Sequence, residues 1–182
     1  MKDPFPTQSQ VVIVGGGIVG CSVAYHLSKL GWKDVVVLER GELTCGTTWH
    51  AAGLVTQLRS THTMTEICQY GPRLFGSLKD ETGQDTGFKQ NGSLQVARTP
   101  ERLTEIARMI SLGKLFGVEA HMVDPSEAKS LYPLLDKNKV LGGGYIPGDG
   151  QTNPIDTTMA LAKAARLAGV RIIERVSVTG FK

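Results

Sequence analysis

Three glycines at G-x-G-x-x-G spacing, Gly15, Gly17 and Gly20, leave an apolar run at Gln10–Val14 and open a helical pattern. Each has a task in holding a diphosphate. Gly15 permits the tight turn, Gly17 lets the backbone approach the phosphates at the positive end of the helix, and Gly20 lets helix and strand pack closely. Ile18 and Val19, between the last two glycines, are counted with the binding turn. Glu39 follows about 20 residues further on, at the end of a second apolar run and next to Arg40. There its carboxylate accepts hydrogen bonds from a ribose diol and repels a 2′-phosphate, which argues for FAD or NAD over NADP. The alternative is a glycine turn of an ordinary α/β protein that binds nothing. FAD and NAD present the same adenosine diphosphate, so the choice between them falls to later residues.

The elements that position these residues follow from periodicity. Gln10–Val14 and Val35–Leu38 are β-branched runs without polar alternation, as in strands buried on both faces of a parallel sheet. Between them Val19, Val23, Leu27 and Leu30 recur at helical spacing and Gly31 closes the segment, completing a βαβ unit. Residues 41–53 read as a loop entering a short helix. A helix is expected over Thr63–Lys79, bent or interrupted at Gly71-Pro72. Phe88–Arg98 reads as a strand pair hinged at Asn91-Gly92. Pro100–Leu115 is an amphipathic helix with Leu103, Ile106, Ala107, Ile110 and Leu115 on one side, and Ser126–Leu131 a short helix stopped before Pro133. Val140–Ile146 is strand-like and ends in the turn Pro147–Gly150, read as structural. Asn153 as N-cap, Pro154 at the first helical position and Asp156 in the first turn start a helix to Leu167, closed by Gly169, and Val170–Ile173 is a further strand. The order predicts a Rossmann-like α/β nucleotide-binding domain carrying part of an inserted α+β domain: 9–85, then 86–146, then a return at 147–182. With a strand so near the last residue, the sheet is expected to be incomplete and the chain to be a fragment.

The chain has 182 residues, room for one domain and a fraction. Lys plus Arg number 20 and Asp plus Glu 17, a net +3 with no basic run, which argues against a nucleic-acid partner. With 41% apolar and 20% charged residues the composition is that of a folded soluble protein. No apolar run approaches the roughly 18 residues that cross a bilayer. Met1–Gln10 has neither the apolar core of a secretion signal nor the arginines of a transit peptide. Cys21, Cys45 and Cys68 form no C-x-x-C and cannot all pair, so they are expected to be reduced, as in cytosol or mitochondrial matrix. His26 is expected to be packed on its helix. His62 and His121 have no partner at metal spacing, and no metal site is expected.

The segment Glu39–Leu54, E-R-G-E-L-T-C-G-T-T-W-H-A-A-G-L, separates FAD from NAD. Together with Val12–Gly20, Tyr25-His26-Leu27 and Pro147–Gly150, it resembles the sarcosine and dimethylglycine dehydrogenases of the D-amino-acid-oxidase-like flavoprotein superfamily, from about Gln10 to Lys182. Ser111–Lys114 and Leu131–Pro133 look closer to the sarcosine branch. The glycine turn is shared by many enzymes; T-W-H-A-A-G is much narrower. The resemblance implies that 9–85 and 147–182 are parts of an FAD-binding domain and 86–146 part of a substrate domain. It implies that Gly46, Thr47, Thr48, Trp49, His50, Ala51, Ala52, Gly53 and Leu54 pass the flavin, with His50 bonded covalently to the 8α-methyl. A neutral imidazole is a competent nucleophile toward that carbon near pH 7. The competing reading is a histidine that merely hydrogen-bonds in a loop or core. By the same resemblance Val178 touches adenine through its backbone. Arg59 would hold a substrate carboxylate bidentately, although a lone arginine is more often a solvated charge.

The implied activity is FAD-dependent oxidation of the N-methyl C–H of a small amino acid, sarcosine or dimethylglycine, with the electrons passing to electron-transferring flavoprotein. The iminium product hydrolyses to formaldehyde or gives its carbon to tetrahydrofolate on a separate C-terminal region. The implied location is the mitochondrial matrix in a eukaryote, the cytoplasm otherwise. Three rivals remain: a catalytically silent regulator similar to the regulatory subunit of pyruvate dehydrogenase phosphatase, which lacks the tether histidine; an amino-acid oxidase releasing peroxide; and an NAD-dependent dehydrogenase, disfavoured by the Gly46–Leu54 loop.

Overall fold

The computed structural model describes residues 6–181. Met1–Phe5, half of the stretch inspected for a targeting signal, and Lys182, the end of the expected return segment, lie outside the described residues. The first half of the chain forms β1 (Val11–Val14), α1 (Ile18–Lys29), β2 (Val35–Glu39), a 3-10 turn at Thr48–His50, β3 (Leu54–Val55) and α2 (His62–Thr82). The second half forms β4 (Ser93–Ala97), α3 (Pro100–Leu115), β5 (His121–Val123), α4 (Pro125–Leu131), a 3-10 turn at Lys137–Lys139, β6 (Gly142–Ile146), β7 (Gly150–Gln151), α5 (Pro154–Leu167) and β8 (Arg171–Glu174). These divide into two compact units. One holds the chain up to Gly53, Phe75–Gly87 and the chain from Thr152; the other holds Leu54–Leu74 and Phe88–Gln151. The expected breaks at 85/86 and 146/147 thus shift to Gly87/Phe88 and Gln151/Thr152. Leu54–Leu74, assigned above to the nucleotide-binding part, packs with the second unit instead.

In the first unit β1, β2 and β8 form a parallel sheet in the order β1-β2-β8, with Val14 opposite Leu38 and Glu39 opposite Glu174. Ala24 of α1 and Ala165 of α5 pack on Val35, Val37 and Val170. Small side chains at this seam allow close approach of helix to sheet and of helix to helix. They also displace the face read from apolar spacing. α1 buries Cys21, Ala24 and Tyr25, whereas Val19 is 74% and Leu30 77% exposed. Likewise β1 is covered on one face only: Val11 and Ile13 join the core, and Val12 and Val14 are more than half exposed. α5 is as read, with Asn153 accepting from Ile155 and Asp156 N–H, and Gly169 in the left-handed region at φ +95°.

In the second unit β4, β6 and β5 make an antiparallel sheet in the order β4-β6-β5. α3 lies on it through Ile106 and Ile110, with Ala97, Val118, Ala120 and Ile146 completing the core. The glycine run in β6 is the seat of that helix: a Cβ on Gly144 would come within 2.8 Å of both isoleucines. Leu115, placed above on the apolar side, is 75% exposed beyond the end of this contact. The expected strand pair at Phe88–Arg98 does not form. Gly92 turns the chain at φ +77°, but its N–H goes to the Asp149 carbonyl and the Ser93 hydroxyl to the Asp149 carboxylate at 2.5 Å. The two arms are thereby sent to different partners, Lys89 to Gln151 and β4 to β6. Asp149, 1% exposed, also accepts the Gln57 N–H at 2.8 Å, a structural role as expected. α2 is continuous over His62–Thr82 with Pro72 inside it, so the expected break of the helix there does not occur.

Candidate functional site

The three parallel strands of the first unit end together, and ligands of open α/β sheets bind outside those carboxyl ends. Gly15 takes φ +108° with open space where a side chain would stand, and its N–H donates to the Leu38 carbonyl at 2.8 Å. A Cβ on Gly20 would collide with the Gly15 carbonyl oxygen of the turn and lie 3.4 Å from Ile13 Cγ2 of β1, so α1 is held close to both turn and strand there. Gly16, between the motif glycines, is equally confined: its Cβ would lie 2.5 Å from Leu43 Cδ2 and 3.0 Å from Glu39 Cβ.

Glu39 is the centre of this arrangement. The N–H groups of Gly16 and Gly41 donate to its two carboxylate oxygens at 2.6 and 2.8 Å, and the residue is 8% exposed. Burial alone pushes this carboxyl up, but the donors from Gly41 and Gly16 and the charge of Arg40 outweigh it and hold it below the usual glutamate range. The loop beyond is tied to the end of β8. Leu43 N–H donates to the Glu174 carboxylate at 2.7 Å, Arg175 N–H to the Gly41 carbonyl at 3.0 Å and Val176 N–H to the Glu39 carbonyl at 2.9 Å. Thr44 and Arg175 hold positive φ of 72° and 62° in these two crossing segments. Such backbone strain in non-glycine residues concentrates where a site over-determines the chain.

These segments enclose a cavity of about 580 Å³. Eight of the expected cofactor residues line it: Gly15, Gly17, Glu39, Arg40, Gly46, Thr47, Thr48 and Val178. Val14, Leu38, Cys45, Val176 and Ser177 line it too and were not read from the sequence. Their one available signal was adjacency, at a strand end or beside a named residue. Ile18, Val19, Gly20 and the loop from Trp49 to Leu54 are not in its wall. Gly53, at φ +73°, is a packing position, since a Cβ there would strike the Thr152 carbonyl. Leu54 begins β3 in the second unit. The open space at Gly15, the ionised acceptor at Glu39 and the helix N-terminus beyond Gly17 fit the ribose and diphosphate of an adenine dinucleotide.

His50 closes the 3-10 turn that begins at Thr48. Its ring lies against that of Trp49, centroids 3.7 Å apart and tilted by 34°, and both residues are exposed. Among the described residues its imidazole makes no hydrogen bond. His26 by contrast is held to Ser22, with Nδ1 2.7 Å from the carbonyl. Arg59 belongs to the second unit, where Nη1 donates to Thr56 Oγ1 at 2.9 Å and to the Leu58 carbonyl at 2.8 Å. It lines a cavity of about 460 Å³ with Arg102, Arg108, Ile106 and Met109. Among the described residues no group of three or more His, Cys, Asp or Glu could hold a metal, and no helix is long and apolar enough to cross a membrane.

A family model described as FAD dependent oxidoreductase, DAO, matches residues 10–182. The chain belongs to the DAO family of FAD-dependent oxidoreductases. Curated relatives of this DAO chain include mitochondrial sarcosine dehydrogenase of Homo sapiens, 45% identical over 180 residues, and mitochondrial dimethylglycine dehydrogenase of Rattus norvegicus, 43% over 175 residues. The mitochondrial pyruvate dehydrogenase phosphatase regulatory subunit of Mus musculus is 40% identical over 173 residues. The alignments cover 98%, 96% and 95% of this chain and 20% of each relative, so the chain spans about a fifth of the length of the curated relatives it matches. Among solved structures, L-proline dehydrogenase from P. horikoshii superposes with a TM-score of 0.91 at 31% identity, over 98% of this chain and 47% of that one. The α/β dinucleotide fold read from the strand, turn and helix is the DAO fold.

One test of the cavity needs no catalysis. Cys45 is exposed and lines it, with Sγ 3.9 Å from Glu39 Oε1, whereas Cys21 is fully buried and burial pushes its thiol up to about 11. Peptide-level mass spectrometry of iodoacetamide labelling is expected to show Cys45 modified far faster than Cys21. Added ADP should slow Cys45 several-fold without changing Cys68. Equal Cys45 rates with and without saturating ADP would mean that the nucleotide sits elsewhere.

Proposed function

We propose that the first unit holds the adenosine diphosphate part of FAD in a dehydrogenase of small N-methyl amino acids, sarcosine or dimethylglycine. What carries this reading is the cavity in which Glu39, ionised and braced by two backbone donors, faces the glycine turn of a DAO-family chain. FAD, when bound, supplies the two-electron acceptor for a hydride from the N-methyl carbon. Each group of the chain then has a definite task. Glu39 receives the ribose hydroxyls, Gly15, Gly17 and the first turn of α1 the diphosphate, and Val176–Val178 the adenine edge. Trp49 and His50 stand at the flavin, the imidazole as the covalent tether, and Gly46–Leu54 is the segment that carries them past it. Arg59, two of whose hydrogen bonds fix it to its own loop, offers its remaining N–H groups to the substrate carboxylate.

The names of the relatives support the substrate class and a mitochondrial location, which the proposal takes to be the matrix. Electron-transferring flavoprotein as acceptor, and tetrahydrofolate bound elsewhere in the protein as carbon acceptor, complete the proposal. The regulatory subunit at 40% identity keeps a silent regulator as the second reading.

The experiment is turnover of methyl-labelled sarcosine and dimethylglycine by the full-length protein with a dye acceptor in air. Expected are dye reduction, one labelled one-carbon unit per two electrons, and no peroxide. Peroxide in place of dye reduction would make the protein an oxidase. A colourless protein that oxidises neither amine would be the regulator.

A further inference from the structure

Asp149 is a buried carboxylate that no step proposed above uses. It is 1% exposed and makes no ion pair among the described residues, a costly way to place a charge unless donors surround it. The donors come from two segments of the second unit. Oδ1 accepts the Gln57 backbone N–H at 2.8 Å and the Gln57 side-chain amide at 3.4 Å, and Oδ2 accepts the Ser93 hydroxyl at 2.5 Å. The ladder between β3 and β7 ends at Val55 opposite Gly150. The carboxylate thus continues, through a side chain, a strand contact that the two backbones no longer make. Gln57 Nε2 fills the space beside Gly148, where a Cβ would collide with it, so Gln57 is gripped through main chain and side chain alike.

Arg59 depends on this grip. Its Nη1 donates to Thr56 Oγ1 and to the Leu58 carbonyl, and Thr56 and Leu58 are the two chain neighbours of Gln57. Holding Gln57 therefore fixes both acceptors of the guanidinium. From the other side the fully buried Thr65 accepts the Arg59 backbone N–H on Oγ1 at 3.1 Å. Both side-chain bonds leave from Nη1, so Nε and Nη2 remain as the planar fork that matches a carboxylate. An exposed arginine ordinarily spreads over many rotamers. This one is held by acceptors whose places are set by Asp149.

We infer that Asp149 is the positioning residue for Arg59: by holding Gln57 it fixes Thr56 Oγ1 and the Leu58 carbonyl, and through them presents the guanidinium to the substrate carboxylate in one orientation. Asp149 itself touches neither substrate nor cofactor. The inference rests on the reading of Arg59 under the proposed function and deepens it, because it names the group that preorganises the fork. A preorganised fork binds more tightly than one that must be ordered by the ligand, so the contribution of Asp149 falls on substrate affinity and leaves the chemical step alone.

The test uses the full-length protein as wild type, D149A, D149N, R59A and the double variant D149A/R59A, with dye-coupled turnover of sarcosine or dimethylglycine, whichever wild type oxidises faster. Flavin content, melting and deuterium exchange of the peptide spanning 54–60 are measured beside it. D149A should raise KM roughly tenfold, the size of one lost hydrogen bond to a charged group, with kcat and flavin content near wild type, and should speed exchange in that peptide. D149N keeps an acceptor for the Gln57 N–H and offers an amide donor to the Ser93 oxygen, so it should restore both KM and protection. In the R59A background D149A should raise KM no further, since the two residues act through one contact. A KM that rises as much with Arg59 absent, a loss of kcat and flavin at unchanged KM, or a D149A variant with wild-type KM and exchange each overturns the inference. If D149A fails to fold, as judged by melting, S93A, which loosens the carboxylate without emptying its place, decides on the same criteria with a smaller rise. An R59A variant kinetically equal to wild type, or a protein that oxidises neither amine, removes the reading of Arg59 itself and the inference with it.

Discussion

Replacing His50 by alanine in the full-length protein is expected to abolish acid-stable flavin altogether. After acid precipitation and digestion, wild type should yield a peptide containing His50 with the mass of a flavin adduct, and H50A should leave all of its flavin in the supernatant. The effect can be read cleanly because His50 carries no structural duty. It is exposed, its imidazole makes no hydrogen bond among the described residues, and its side chain is seen against the neighbouring Trp49 ring. Removal of such a surface side chain changes stability by about 0.5 kcal/mol or less. Melting of H50A apoprotein should therefore match wild type while the adduct disappears. An adduct that persists in H50A would move the attachment to another residue, and flavin wholly free in the wild-type supernatant would show a dissociable cofactor.

The parts of the fold that could be read in advance are those where one local rule dominates. The β-branched runs of β1 and β2 and the glycine turn between them are of this kind. So is α5, where Asn153, Pro154 and Gly169 mark both ends through capping and a left-handed residue. The reading failed where packing outweighs hydropathy. Val19, Val23 and Leu30 have helical spacing, yet close packing by Gly20, Cys21 and Ala24 turns that stripe outward. Asn91-Gly92 is a real turn, but Asp149, more than fifty residues away, captures Gly92 and Ser93 and decides which strands pair. That contact has no local signature.

The candidate site divides along the same line. That Gly15, Gly17 and Glu39 share one cavity wall was legible because backbone geometry and one charge fix their places. The Glu174 and Val176–Val178 side of the cavity was visible only in part, through Val178. It depends on Leu43, Arg175 and Val176 donating across from one segment to another. Thr48 was named as part of a loop, but that its hydroxyl accepts the Ile18 N–H at the start of α1 is a tertiary fact. The strained residues Thr44 and Arg175 are informative in the same way, since both lie at the crossing that positions the loop and neither type suggests positive φ.

Exchanging Glu39 for glutamine should weaken ADP binding roughly tenfold to a hundredfold and destabilise the first unit by about 1.5–3 kcal/mol, because the variant keeps one acceptor and puts an amide donor in place of the other. One of the N–H groups of Gly16 and Gly41 then faces a donor at the closest part of the turn. Selectivity should shift as well. On the proposed ribose contact the Glu39 carboxylate would repel a 2′-phosphate, so the ratio of affinities for ADP and its 2′-phosphorylated analogue should narrow in E39Q. The acid dependence has a definite sign. Burial acts to raise the Glu39 carboxyl, the donors of Gly41 and Gly16 and the Arg40 charge overcome it, and the folded value lies below the ordinary 4.5. A proton therefore binds the unfolded chain more readily than the folded one. The stabilisation is fully present above pH 4.5 and is lost as pH falls through the lower folded value. Adenosine affinity, which needs the ionised acceptor, should fall over the same interval in wild type and stay flat in E39Q. Calorimetric titration with adenosine and melting of apoprotein at stepped acid pH give both curves. A wild-type profile that overlays that of E39Q, or ADP bound equally by the two proteins, would remove Glu39 from the ribose.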